Sequence, residues 1–290
     1  MESGIAQGIE QLSLALFTTF APAAVVAFIL LTLYGVVYVK EEETRKRLHH
    51  FLIIPLAFCL IGLIASTNHL GKPANALYVL AGIGRSPLSN EVAASVAFAG
   101  VAWIYWLAGF SDRVSVRQLR IAIPLAIVAG IAQIWFTSNA YNIETISSWS
   151  LAFTQINQIL SAFLGGSFLF LFTLAMANQD CDAPILLTTL ICAGASTAAL
   201  LVSELIQSSY FYELTSSTTS LIEVFPQYPL LIAMSTLLLI AAVILTLLWK
   251  RQGRLLNRKC ATIALVLAFG GVFIARFSFY CAYLNVGLVV

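Results

Sequence analysis

Residues Gln11–Val39, QLSLALFTTFAPAAVVAFILLTLYGVVYV, run for 29 positions without one charged side chain. A hydrocarbon core roughly 30 Å thick needs about 20 consecutive apolar residues in helical form, so this stretch alone predicts a membrane crossing. Seven more runs of the same kind follow, near Phe51–Asn68, Glu91–Phe110, Leu119–Ser138, Ser150–Asn178, Pro184–Gln207, Gln227–Trp249 and Cys260–Leu284. None alternates polar with apolar residues, and their length favours helices over barrel strands, the two structures that satisfy every backbone group in lipid. The expectation is an all-α polytopic membrane protein: one domain over residues 1–290, with eight helices packed as a bundle. Hydrophobic residues at 60%, charged residues at 10% and a mean hydropathy of +0.92 agree with that class.

Charge sets the expected orientation. Lys40, Arg45, Lys46 and Arg47 follow the first run, Arg113, Arg117 and Arg120 the third, and Lys250, Arg251, Arg254, Arg258 and Lys259 the seventh. Those twelve face one side, against Lys72 and Arg85 on the other, and the positive-inside rule then puts both termini outside the cytoplasm. Glu2 and Glu10 precede the first run with no Lys or Arg among them, so it is expected to be a retained helix and not a signal peptide. A formal net charge of +2 gives no reason to expect a nucleic-acid partner, and the basic loops read as topology signals facing anionic lipid.

Cysteine and histidine usage narrows the chemistry. Cys59, Cys192 and Cys281 fall inside runs, Cys181 and Cys260 border loops, and no CxxC spacing occurs. An iron–sulfur cluster normally takes four thiolates, so none is expected in this chain. His49 and His50 sit in a charged loop on one side and His69 on the other, which excludes a haem ligated by two facing histidines. No metal site is expected, and redox work would need a diffusible carrier and a partner protein.

Ionisable groups inside lipid are costly and usually functional. His69 ends the second run. Glu91 opens the third, where Ser86 is the expected N-cap and Pro87 the first helical residue. Glu204 is expected in the last turn of the sixth run, and Arg276 about nine residues from the end of the eighth, roughly 13 Å deep at 1.5 Å per residue. Gln133, Trp135, Gln155, Asn157 and Gln158 lie at similar depths. All of these belong to the half of the bilayer opposite the basic loops, which suggests a lateral, lipid-accessible pocket. Arg276 and Glu204 are candidates for a buried ion pair. Pro22, Pro55 and Pro124 are candidate kinks. The stretch Ala74–Leu80 reads as a short helix or re-entrant turn lying at the interface, and the aromatic segment 208–226 as an interfacial anchor or docking surface.

The HLGKP run at His69–Pro73, the SPLSNE run at Ser86–Glu91, the chain length and the Ala275–Tyr280 segment ARFSFY resemble the membrane-anchor subunits of dimethyl sulfoxide reductases (DmsC-type). The resemblance implies a subunit of the bacterial cytoplasmic membrane that oxidises menaquinol as a diffusible substrate. It also implies that an iron–sulfur subunit and a molybdopterin catalytic subunit dock on the extracytoplasmic face, the latter carrying the terminal chemistry. By that resemblance His69 and Glu91 are the quinol-site residues and proton acceptors. Asn68 and Lys72 are expected to orient the head group or the partner, and Arg276 and Glu204 to support the pocket. Small-solute transport, or anchoring of a polysulfide, tetrathionate or nitrite reductase, are the competing expectations.

Overall fold

The structure, a computed structural model, describes residues 4–68, 73–111, 113–179, 183–215, 219–253 and 257–284, with the side chains of 73–77 and 183 outside that description. A short helix α1 (Gly4–Glu10) leads into α2 (Leu12–Leu33), and α3 (Glu42–Phe51) runs into α4 (Ile53–Thr67). Then come α5 (Pro87–Ala108), α6 (Val116–Ala140), α7 (Ala152–Met176), α8 (Ala183–Glu213), the single turn α9 (Leu221–Val224), α10 (Tyr228–Arg251) and α11 (Arg258–Cys281). Among the described residues the only extended pairing is an isolated bridge between Thr215 and Ser220. Among the described residues, eight helical segments are long and apolar enough to cross a membrane, as expected.

Local chemistry explains most helix ends. Ser86 accepts from the Ser89 amide at 3.4 Å and Pro87 takes the first helical position of α5, where its missing N–H costs nothing. Ser115 and Gln118 form a reciprocal capping box on α6. The stretch expected to be a short helix or re-entrant turn at the interface is a 3-10 helix, Pro73–Gly82.

Three boundaries differ from expectation. The second crossing begins at Glu42, not Phe51, because the charged segment with His49 and His50 is itself helical. Pro55 sits in the first turn of α4, where its lack of an N–H helps place the joint at Leu52 between α3 and α4 and kinks no helix interior. The sixth crossing continues to Glu213, so Glu204 lies nine residues from the helix end, about 13 Å, and not in its last turn. Conversely α11 stops at Cys281, leaving Arg276 five residues from the end, about 7.5 Å.

Helices α2 and α7 form the centre. Their crossings are 78% and 72% buried, against 22% for that of α10. Helix α2 packs against α4, α6, α7 and α11, while α5 pairs with α6 and α10 with α11. With no hydrophobic drive between helices in lipid, close backbone approach through small residues does the work. Ala21, Ala23 and Ala24 of α2 are buried, and on α7 a Cβ on Gly166 would overlap the Val26 side chain. Past α2 the chain winds into one π turn, Tyr34–Tyr38, whose Val36 carbonyl accepts from Arg120 of α6 at 3.0 Å.

Gly166→Val should therefore destabilise the bundle by about 1–3 kcal/mol through overpacking, seen as a lower thermal midpoint in detergent. Gly194→Ala, whose added Cβ meets nothing within 4 Å, should change stability by less than about 1 kcal/mol.

Candidate functional site

Thr18 of α2 is the hinge of a buried polar layer. Its hydroxyl donates to the Leu14 carbonyl at 2.8 Å and accepts from Arg276 Nε at 3.3 Å and from the Tyr280 hydroxyl at 3.5 Å. Its own carbonyl accepts from Gln158 Nε2 of α7 at 2.9 Å. The guanidinium of Arg276 lies over the Phe279 and Tyr280 rings, 4.6 and 5.6 Å from their centroids. Aromatic faces attract a cation and exclude water, which is how this charge, 2% exposed, is held inside. Trp149 fixes that end of α11 by stacking on Phe279 and donating to its carbonyl at 3.0 Å.

Glu91 enters the same layer from α5. It is the fifth residue of the helix, four rises or about 6 Å from its start, and is 2% exposed. Its carboxyl faces the hydroxyls of Thr137 on α6 and Tyr141 at the end of α6, and the charge of Arg276 acts on it. Tyr141 packs edge-on against Tyr280 at 5.5 Å, and Gln133 donates to Thr137 at 3.3 Å. Five helices thus contribute to one layer: α2, α5, α6, α7 and α11.

That layer is underbonded. Glu91 Oε1, Ser95 Oγ, Gln133 Oε1, Tyr141 Oη, Gln158 Oε1 and Arg276 Nη2 are all buried without a protein hydrogen-bond partner. Native interiors satisfy nearly all such atoms, and a concentration of exceptions marks a place where water, protons or a ligand are handled.

The expected site residues divide as follows. Asn68 caps the end of α4 and is exposed. His69 and Lys72 lie outside the described residues. Glu91 points into the bundle, yet its neighbour Asn90 lines a groove of about 310 Å³ with Pro87, Trp135, Phe136, Asn139 and Asn142. Trp135 there is 53% exposed, on the surface that a bilayer would cover, so the carboxyl and a lateral opening lie on adjoining sides of α5. Gln155 bonds Asn139 at 2.7 Å and Asn157 bonds Gln207 at 2.9 Å.

Two expectations are corrected. Among the described residues Arg276 and Glu204 form no ion pair within 4 Å; instead both line a small cavity between α7, α8, α10 and α11, and Glu91 is the carboxyl on which the Arg276 charge acts. His49 is not in a loop. Its Nε2 meets the Trp106 carbonyl at 2.8 Å and its ring packs on Tyr105 and Phe110, over Gly109, where any Cβ would collide with it. Near the basic loops, where no ionisable group within a crossing was expected, His49 is therefore seated against α5. Thr18, Thr137 and Tyr141 also belong to the layer, although nothing in the sequence singles them out, and so does Tyr280, noted only as the last residue of the ARFSFY segment.

Fold and site define a polytopic helical membrane protein with a buried layer of hydroxyl and ionisable groups near one end of its bundle. The family described as DMSO reductase anchor subunit (DmsC) matches residues 5–282, and the protein belongs to that family. It is 28% identical over 287 residues to the C subunit of the anaerobic dimethyl sulfoxide reductase of Escherichia coli (strain K12), with 98% of each sequence covered. The corresponding C subunit of Haemophilus influenzae (strain ATCC 51907 / DSM 11121 / KW20 / Rd) is 27% identical over 286 residues, again with 98% of each covered. A second E. coli K12 protein, the YnfH subunit of an anaerobic dimethyl sulfoxide reductase, is 24% identical over 286 residues and 98% of each sequence.

Thr18→Val should leave the Arg276 Nε–H and the Tyr280 hydroxyl without their acceptor, a loss of about 1–3 kcal/mol for stranded buried donors. Tyr280→Phe removes one weak donor and leaves no donor stranded, so its cost is smaller, about 0.5–1.5 kcal/mol. Thermal midpoints of the two variants should fall in that order.

Proposed function

We propose that this membrane anchor of a DMSO reductase-type complex oxidises menaquinol in the bacterial cytoplasmic membrane. Electrons pass to an iron–sulfur subunit and from there to a molybdopterin subunit that reduces the terminal acceptor. The observation that carries the reading is Glu91: a carboxyl 2% exposed, with one oxygen unpaired, set beside a groove on the lipid side of α5 and α6. A hydrophobic quinol reaches such a groove from the bilayer without crossing water, and its oxidation requires bases at the hydroxyls.

Oxidation releases two protons and two electrons. His69 hydrogen-bonds one quinol hydroxyl and, as a neutral imidazole with an unperturbed pKa near 6.5, accepts its proton. Glu91 takes the other. Asn68, at the end of α4, and Lys72 orient the head group or the docked partner. The protein itself holds no electron carrier in this scheme, so the iron–sulfur subunit has to dock within electron-transfer reach of the groove. The twelve-to-two distribution of Lys and Arg supports a site on the extracytoplasmic side, with both termini there, and partners docked on that face.

In the assembled complex, His69→Ala and Glu91→Gln should each lower quinol oxidation by about a hundredfold or more, while reduction of the terminal acceptor by an artificial electron donor stays at the wild-type level. Wild-type quinol turnover in both variants removes the assignment. A periplasm-dependent reporter enzyme fused after Val290 should be active and one inserted between Lys250 and Lys259 inactive; the reverse pattern overturns the orientation.

A further inference from the structure

At the end of the bundle away from the Glu91 layer, a cavity of about 380 Å³ opens near the basic loops. Its wall combines the end of α2 and the π turn that follows, α3, the end of α5 and the start of α6. A volume of that size takes a small ligand. The π turn shapes it, and such turns recur at functional sites. Gly35 in this turn is buried and lines the cavity, yet a Cβ added to it meets nothing within 4 Å. Interiors are close-packed, so room of this kind beside a buried backbone is room the protein has not filled itself.

The lining has two chemistries. Glu42, Arg45 and Lys46 of α3 carry its charge, and Glu42 is held by Lys46 at 2.8 Å. The Arg45 guanidinium, whose charge also acts on Glu42, forms no hydrogen bond or ion pair of its own among the described residues. Together the three leave one net positive charge. His49 and His50 line the cavity too, each with one ring nitrogen against a backbone carbonyl, that of Trp106 at 2.8 Å and that of Lys46 at 2.7 Å. A carbonyl only accepts, so those nitrogens carry the ring N–H, and the neutral rings leave the charge unchanged. The apolar part of the wall comes from Leu31, Leu52, Phe110 and Leu119. Leu31 lies four residues, about 6 Å, deeper in the crossing than Gly35.

We propose that this cavity binds one anionic phospholipid of the phosphatidylglycerol kind, its phosphodiester at Arg45 and its apolar part along Phe110 and Leu119. A soluble phosphate ester answers the guanidinium but leaves the apolar wall wet, and a neutral quinol does the reverse. A lipid with a single negative charge matches both, and basic pockets between membrane helices are where anionic headgroups are held. The charge count also selects among lipids: a zwitterionic headgroup brings its own cation to a cavity that already has one in excess. The site makes no use of Glu91, the groove beside α5 or any redox step, and stands without the quinol reading.

The test is native mass spectrometry of the full-length protein, delipidated in a neutral detergent and titrated with dioleoyl phosphatidylglycerol, dioleoyl phosphatidylcholine or glycerol 1-phosphate. The first phosphatidylglycerol should bind about tenfold more tightly than the first phosphatidylcholine, and glycerol 1-phosphate should not bind measurably. Arg45→Gln should weaken phosphatidylglycerol about tenfold or more, the size of one charge-assisted hydrogen bond, whereas Arg45→Lys should keep most of the affinity. Gly35→Leu, which fills the cavity and leaves every charge in place, should remove the preference for phosphatidylglycerol. Should that variant misfold, the two Arg45 variants decide, since their half-buried side chain holds no helix contact of its own. Arg113→Gln, a cation on the same side but off the cavity wall, should bind as the wild type does. Equal binding of the two lipids, or a loss in Arg113→Gln as large as in Arg45→Gln, means diffuse attraction to the basic face and overturns the site. Glycerol 1-phosphate binding as tightly as phosphatidylglycerol makes the occupant a soluble anion and overturns the lipid assignment.

Discussion

A guanidinium held inside a helical bundle at membrane depth governs how this end of the protein is built. Arg276 cannot discard its proton, so the surroundings must supply what water would. They do so with the Thr18 hydroxyl, two aromatic faces and the field of a carboxyl on another helix. Each contribution fixes an element: Thr18 registers α2 against α11, Tyr280 reaches across to Tyr141 and ties in α6, and Glu91 draws in the start of α5. Remove the charge and the reason for those side chains to converge goes with it. The polar layer is thus as much a register device for the bundle as a chemical one, the role for which buried polar groups are best attested.

The packing beneath that layer is apolar and follows a different rule. Helices α2 and α7 approach through alanine and glycine, and their large side chains interlock on either side, with Phe28 edge-on to Phe98 and Tyr105 and Tyr34 edge-on to Phe170. At the basic end, His49 on α3 closes the gap to α5 by meeting the Trp106 carbonyl, one of the last carbonyls of that helix and unpaired within it. The two ends of the bundle are therefore fastened by polar contacts and its middle by shape.

The number and helical nature of the crossings were legible because hydropathy over a 20-residue window is a strong signal and lipid admits few alternatives. Helix ends were less so. Residues Glu42–His50 are charged enough to read as a loop, yet they place acids ahead of bases as a first helical turn prefers, with Glu42 and Lys46 paired at 2.8 Å. The α8 overshoot to Glu213 was hidden because Ser208, Ser209 and Glu213 mark the end of the hydrophobic run but not of the helix. Glu91, Arg276 and Glu204 were found because a charge in an apolar run announces itself. Thr18, Thr137, Tyr141 and Tyr280 did not, since a hydroxyl in a membrane helix usually bonds its own backbone, as Thr19 does to Ala15 at 2.7 Å, and only the fold shows which ones also face a charge.

The pairing of Arg276 with Glu204 failed as an expectation for a reason that bears on function. Sequence places two opposite charges on neighbouring crossings and invites a direct contact, but a closed ion pair would neutralise both partners and leave Glu91 as an isolated acid in the core. Arg276 instead stands apart from Glu204, with which it lines a water-sized cavity, while its charge acts on Glu91. A proton acceptor is useful only if it can return to its starting state after each turnover. A direct salt bridge stabilises the ionised carboxylate far more than the protonated form, and so opposes that return. The open valences at Glu91 Oε1 and Arg276 Nη2 leave neither group locked into one pairing, the condition that a reversible proton acceptor requires.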